Sequence, residues 1–303
     1  MAMIKVNKND VSVNKFPDGT LLLKERIPEG GKEERKRAAT LTWLYESNEE
    51  LVTLIYLAGH LRAHGITELS LDMPYIPNAR QDRVKAQEDV FTLKYFAEVI
   101  NWLDFKSVTV LDPHSSVSEA LIDKIQVRTP EVFIRKVIDR IGGTENLTMF
   151  YPDEGACKRY SGMFRIPCAF GIKRRDWATG DIKGLDVSGM TDCIRDRKIL
   201  MVDDISSRGG TFYFSAQKLK ALGAKEIYLY ISHCENTILE GEVLKSGLVQ
   251  RIFTTNSIFT KKDERIEVFK IEDELFNLEI SDAARPLILA DEMAACAAEG
   301  EEL

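Results

Sequence analysis

The chain has 303 residues, 44% hydrophobic and 29% charged. That suits one large or two ordinary folded domains and excludes wholesale disorder. Lys and Arg total 41 against 48 Asp and Glu, a net charge of −7, so a broad basic face for nucleic acid is excluded and any phosphate site is local. The five cysteines (Cys157, Cys168, Cys193, Cys234, Cys296) are scattered and form no C-x-x-C pair, as expected of free thiols in a reducing cytoplasm. No run approaches the roughly 20 apolar residues of a membrane span, and Met1-Ala2-Met3-Ile4-Lys5 lacks a signal-peptide stretch, so a cytoplasmic location is expected.

In chain order, Leu21-Leu22-Leu23 follows the turn Pro17-Asp18-Gly19 and reads as a strand. Ser47-Asn48-Glu49-Glu50 predicts a helix start, a capping residue followed by acids at the positive end of the helix dipole. Leu51, Leu54, Ile55, Ala58 and Leu61 repeat at helical spacing, and Gly65 is the expected stop. Leu69 to Met73 predicts a strand, Val90 to Trp102 a helix, and Val108 to Leu111 a buried strand. Arg128-Thr129-Pro130 is the expected boundary between halves. Beyond it, strands are expected near Leu147–Tyr151, Ala169–Ile172, Ile199–Val202, Ile227–Ile231 and Arg251–Thr254. Helices are expected over Val132–Ile141, Thr211–Leu222 and Gly241–Lys245. The tail Asp282–Leu303 is Ala- and acid-rich and reads as a short helix with a frayed end. Alternation of this kind, without strict period two in the apolar runs, predicts an α/β fold with mostly parallel sheets.

The strongest chemical signal is the run from Ile199 through Asp203-Asp204 and Ser206-Ser207-Arg208-Gly209-Gly210 to Thr211. An apolar strand delivers two carboxylates, then a small-residue loop, then a helix. Carboxylates at a strand's C-terminal end suit Mg²⁺ or sugar hydroxyls, and loop N–H groups backed by a helix N-terminus suit phosphate. An acidic turn with an ordinary helix cap is the plainer reading of the same residues. The run lacks the Gly-Lys-Ser/Thr ending of a Walker loop.

This segment resembles the ribose-phosphate loop of the phosphoribosyltransferase fold, and further motifs narrow the resemblance to the ribose-phosphate diphosphokinases (PRPP synthetases). Pro74-Tyr75-Ile76-Pro77-Asn78-Ala79-Arg80-Gln81-Asp82-Arg83 is similar to that family's ATP-binding segment. Leu111-Asp112-Pro113-His114 resembles its metal-binding histidine motif, and Tyr151-Pro152-Asp153 through Lys158-Arg159 its second metal and ribose turn. Phe16-Pro17-Asp18-Gly19 and Lys173-Arg174-Arg175 fall in the family's order, and the matches span residues 16–256. The resemblance implies two tandem phosphoribosyltransferase-like domains, here 1–129 and 130–281, followed by an acidic tail, 282–303. It implies Mg²⁺-dependent transfer of the diphosphate of ATP to an anomeric hydroxyl, releasing AMP. Lys173, Arg175, His114, Asp203 and Asp204 take the catalytic roles. ATP falls to Asp18, Arg80, Gln81, Asp82, Arg83 and His114. The ribose phosphate falls to Asp153, Asp203, Asp204, Ser206, Ser207, Arg208, Gly209, Gly210 and Thr211, and the metal to His114 and Asp153.

Each motif also has its own chemistry. The guanidinium forks of Arg80 and Arg83 suit a triphosphate, although a solvated charged turn would read alike. His is an unusual Mg²⁺ ligand, so most coordination would come from Asp153, water and phosphate oxygens. Lys173-Arg174-Arg175 lies in a Gly- and Asp-containing stretch that reads as a mobile loop, either a flap over ATP or a solvated basic turn. His60 and His64 lie on a helix and read as surface residues. Three departures from the family pattern stand out: Ser207 and Arg208 replace an Asp and a Thr, and Thr20 replaces an acid beside the adenine. The first two favour, by a narrow margin, ADP-ribose (NAD salvage) over ribose 5-phosphate (nucleotide biosynthesis) as acceptor. A non-catalytic regulatory homologue and a phosphoribosyltransferase are the competing classes. The retained Lys173, Arg175, His114 and Asp153 argue against the first, and the Arg80–Arg83 segment against the second. A homo-oligomer, at least a dimer, is expected, with neither nucleic acid nor membrane as partner.

Overall fold

A computed structural model describes residues 4–25, 38–175 and 182–274, the side chains of 173–175, 182–185, 273 and 274 excepted. The first part contains β1 (Ile4–Val6), β2 (Asn9–Asp10), β3 (Ser12–Lys15), β4 (Leu21–Lys24), β5 (Ala38–Trp43), α1 (Glu49–Ala63), β6 (Glu68–Asp72), α2 (Thr92–Trp102), β7 (Val108–Leu111), α3 (Ser116–Leu121) and β8 (Ile125–Arg128). The second contains α4 (Glu131–Arg140), β9 (Leu147–Tyr151), α5 (Glu154–Tyr160), β10 (Cys168–Arg175), β11 (Ile182–Gly189), β12 (Lys198–Ser206), α6 (Gly210–Ala221), β13 (Glu226–Cys234), α7 (Glu242–Lys245), β14 (Arg251–Thr255) and β15 (Ile266–Phe269). The expected α/β class holds. One sheet runs β2-β1-β5-β6-β7-β8, the other β11-β10-β9-β12-β13-β14-β15. Both are parallel except where β1 meets β2 and β5, and where β10 meets β11. The hairpin β3-β4 forms a separate two-stranded sheet.

Buried apolar positions fix the layers. α1 presses Leu54, Leu57, Ala58 and Leu61 onto the first sheet, beside Leu41, Leu69, Leu71 and Val110. α6 buries Phe212, Ala216 and Leu219 against Ile199, Met201 and Leu229 of the second sheet. Full burial of a Leu or Ile is worth about 1.5–3 kcal/mol each, so these faces hold the helices in place. β9 is buried at all five positions, as expected of a parallel strand covered on both faces.

Three expectations need correction. Asn48 holds the N-cap position of α1, but its side chain does not cap the helix: its oxygen accepts from the Tyr45 hydroxyl at 2.9 Å. Glu50 reaches back to the N–H groups of Glu46 and Ser47 at 2.9 and 3.3 Å, pinning the segment just before the helix. Lys173-Arg174-Arg175 is not loop: its backbone closes β10, paired with β11 through Arg175↔Ile182. The strand partner sits in the weakly apolar run Ile182–Gly189, which gives little strand signal of its own. Strands β1, β5, β8 and β15 were also unexpected, being short or flanked by charge. The expected tail helix over 282–303 lies outside the described residues. Among the described residues, no helix is long and apolar enough to cross a membrane.

The second sheet opens a crevice. β12 pairs with β9 only through Met201↔Phe150, whereas its pairing with β13 continues to Ser206↔Cys234. Chain order reverses between β9 and β12, so Asp203 and Asp204 emerge where the neighbouring strand has turned away. Ligands in open α/β sheets bind at such switch points, beyond the strands' carboxyl ends.

Candidate active site

The turn after β7 brings the first sheet's motif to the second. Asp112 adopts a φ of 42° and is buried, accepting from the Tyr160 hydroxyl at 2.8 Å and the Ser232 hydroxyl at 2.5 Å. Two residues on, His114 Nδ1 meets Asp204 Oδ2 at 2.6 Å. Arg159, in α5, joins the same pair: it donates to the His114 carbonyl at 2.6 Å and lies 3.3 Å from Asp204 Oδ2. His114 and Asp204, 90 residues apart in sequence, thus meet at one polar junction.

Electrostatics divide the paired acids. Burial opposes ionisation of Asp204, but the His114 hydrogen bond and the Arg159 guanidinium hold its carboxyl well below the usual range. Asp203 is pushed well up by burial and by its ionised neighbour, and its Oδ1 accepts from the Asp204 N–H at 3.0 Å. Burial, with the Asp204 charge adding to it, pushes Asp112 up to about 6. The result is one fixed anion, Asp204, beside a carboxyl that ionises less readily than an ordinary aspartate.

Asp153 opens α5 as its N-cap, its Oδ1 accepting from the Ala156 N–H at 3.0 Å. The loop after β12 ends at Gly209, the residue before α6, with φ 72°. A Cβ there would lie 2.5 Å from Val243 Cγ1, so only glycine fits. Gly209 offers no side chain to cap α6, whose first residues, Gly210 and Thr211, follow directly on Ser206, Ser207 and Arg208 of the loop. Ser207 Oγ lies 3.0 Å from Thr237 Oγ1, and Arg208 forms an exposed ion pair with Glu240 at 3.1 Å.

The ATP-segment residues fall on one side of this junction. Arg80 pairs with Glu235, and Gln81 accepts from the Thr92 hydroxyl at 2.8 Å. Arg80, Gln81, Tyr45, Tyr75, Asn78 and Glu235 line part of a cavity of about 710 Å3. Arg83 holds the carboxylate of Asp82 through two bonds of 2.8 and 3.1 Å, and those bonds lower the Asp82 pKa against a smaller opposing effect of burial. Asp18 is not among the residues lining the cavity: it sits at the exposed β3-β4 turn, its carboxylate accepting from Thr20 N–H and Oγ1 at 2.9 and 2.7 Å. The side chains of Lys173 and Arg175 lie outside the described residues.

Sequence reasoning gave no role to Asp112, Tyr160, Arg159, Ser232, His233 or Glu235. Asp112 and Arg159 stood within quoted motifs. Ser232 and His233 carried the same signal as Asp203, polar residues closing an apolar strand. His233 is buried, its Nε2 donating to the Leu111 carbonyl at 2.9 Å and its ring edge-on to Tyr75.

No family model matches the chain. Curated relatives do. The ribose-phosphate pyrophosphokinase of Thermococcus kodakarensis is 26% identical over 275 residues, covering 89% of this chain and 92% of its own. The enzyme of the same name from Pyrococcus abyssi is 27% identical over 260 residues, covering 84% and 86%. The crystal structure of phosphoribosylpyrophosphate synthetase from Mycobacterium smegmatis superposes with a TM-score of 0.69 over 87% of this chain and 86% of that one, at 16% identity. Over most of its length the chain is similar to the ribose-phosphate pyrophosphokinases. Its fold is the pair of phosphoribosyltransferase-like units of that crystal structure, and the likeness to the curated enzymes supports a diphosphotransferase.

Proposed function

We propose that this pyrophosphokinase homologue transfers the β,γ-diphosphate of ATP to the anomeric hydroxyl of ribose 5-phosphate, within tandem domains 1–129 and 130–281. The observation that carries the reading is the junction of His114, Arg159 and Asp204, which joins the turn after β7 to the acidic pair near the end of β12. The acceptor's 5-phosphate would lie on the open N–H groups of α6, with its ring hydroxyls donating to ionised Asp204. Arg80 would grip the donor's phosphates from the cavity side. Lys173 and Arg175, at the end of the β10-β11 hairpin, would neutralise charge on the migrating diphosphate. The anomeric oxygen would attack the β-phosphorus and give up its proton to water, the bond from that phosphorus to the α-phosphate oxygen would break, and AMP would leave. No covalent enzyme intermediate is needed.

The family's divalent ion fits the donors present. Among the described residues no group of three His, Cys, Asp or Glu is placed to enclose a metal. Mg²⁺ commonly takes only one or two protein ligands and completes its shell with water and substrate phosphates. His114, through Nε2, and Asp153 would hold it. Bound there, Mg²⁺ supplies positive charge that draws electron density from the β-phosphoryl group.

A second reading, ADP-ribose as acceptor, is favoured by Arg208. Among the described residues its guanidinium pairs with Glu240 at the surface, the two side chains 72% and 65% exposed, so it is available to a second phosphate. The test is kcat/KM with ATP, Mg²⁺ and each acceptor. We expect ribose 5-phosphate to be turned over, and Ser207→Asp with Arg208→Thr to shift the ratio further towards it. No AMP formed with either acceptor would overturn the proposed transfer, and an unchanged ratio would remove Ser207 and Arg208 from acceptor choice.

A further inference from the structure

We propose that Glu235 sets the affinity for polyphosphates by competing with them for Arg80, braced by Thr237 and Ser207. The proposal rests on the reading of Arg80 as a phosphate ligand. Arg80 comes from the segment after β6 and Glu235 from the end of β13, and their side chains form an ion pair on the wall of the 710 Å3 cavity. The carboxylate is not a loose surface group. It is 26% exposed, its backbone N–H donates to the Ser206 carbonyl at 2.8 Å, and its Oε2 accepts from the Thr237 hydroxyl at 3.3 Å. Thr237 Oγ1 in turn lies 3.0 Å from Ser207 Oγ. Since the Thr237 proton is given to Glu235, the Ser207 hydroxyl donates to Thr237. The chain Ser207–Thr237–Glu235–Arg80 therefore runs from the acceptor loop to the proposed donor subsite, each hydroxyl donating in the same direction.

A guanidinium fork aimed at a carboxylate presents the same N–H groups that a phosphate would take. Polyphosphate must break the Arg80–Glu235 pair, whose carboxylate Thr237 keeps in place. An uncharged amide at 235 keeps the acceptor for Thr237 but releases Arg80. An exposed pair of this kind holds back a competing anion by a modest factor, about 2- to 5-fold in Kd.

The experiment is titration calorimetry of ATP and of inorganic tripolyphosphate at fixed ionic strength. The proteins are the wild type, Glu235→Gln, Thr237→Val, Arg80→Met and the Arg80→Met/Glu235→Gln double variant. We expect Glu235→Gln to tighten both ligands about 2- to 5-fold and Thr237→Val to tighten them by a smaller factor. In the Arg80→Met background, Glu235→Gln should change Kd less than about 2-fold, because the contested cation is gone. Equal or weaker binding by Glu235→Gln overturns the proposal. So does the same tightening without Arg80, which would mark a general charge effect. Failure of the transfer reaction with the competition intact would defeat the proposed activity alone, while a wild type that binds neither ligand defeats both.

Discussion

Replacing His233 with glutamine probes the joint between the two sheets. The imidazole is buried, with its Nε2 on the Leu111 carbonyl of the first sheet's β7 and its Nδ1 2.9 Å from the Ser257 hydroxyl. Burial lowers its pKa from 6.5 to about 4; Asp204 works against that shift and Arg159 with it. Between those values the unfolded chain binds a proton that the folded protein refuses, so the group's contribution to stability falls as pH drops from 6.5 to about 4. At about 1.36 kcal/mol per pH unit, the loss comes to about 3 kcal/mol. The wild-type curve alone would hide it. Asp72 and Asp112 are raised to about 6, chiefly by burial, and their protonation adds stability over much of the same range. Subtraction removes those shared contributions. Glutamine retains an N–H for Leu111 and does not titrate, so His233→Gln should be less stable than wild type at pH 7.5, by about 1 kcal/mol for the weakened Ser257 contact. The order should reverse near pH 4.5. Urea unfolding at half-unit steps from pH 4.5 to 7.5 gives both curves. Parallel curves would refute a buried neutral imidazole at this joint.

Three further outcomes are expected. Gly209→Ala meets both a left-handed backbone and the Val243 side chain, and should cost about 2–4 kcal/mol in denaturant unfolding and weaken ribose 5-phosphate binding. Lys173→Ala and Arg175→Ala should each lower kcat about 100-fold or more, with a far smaller change in the KM for ATP, since their charges act on the transition state; steady-state kinetics that show small, equal effects would return them to the role of a solvated strand end. Excess chelator should abolish AMP formation, and His114→Ala should lower kcat strongly while leaving the circular dichroism spectrum unchanged, because the residue sits in a turn.

The alternation of apolar runs and helical spacing was enough to read the α/β class, and α1, α2, α4, α6, β7, β9, β12, β13 and β14 fall close to where the periodicity places them. Their signals are local: burial on one helix face, or on both faces of a parallel strand. What was illegible depends on partners distant in sequence. β10 reads as running into a loop at Lys173 until β11 pairs with it. Asp112 looks like an ordinary turn acid until Ser232, 120 residues later, donates to it. Arg159 reads as the end of a short helix, yet it meets His114 and Asp204 together. Nor does spacing alone reveal that Arg80 faces a carboxylate, since Glu235 lies 155 residues away.

The backbone at Gly241 has a consequence for anyone who would redesign acceptor choice. A Cβ on this residue would fall inside the carbonyl oxygen of Arg208, and Val243 and Ile238 press on Gly209 from the same side. The segment 203–211 is therefore moulded by the segment 236–245, and the two form a single replaceable cassette. A phosphate loop transplanted alone from a relative would arrive with the wrong counter-mould and fold into another shape. An exchange of acceptor specificity has to carry both segments together, joined through the unchanged strand β13.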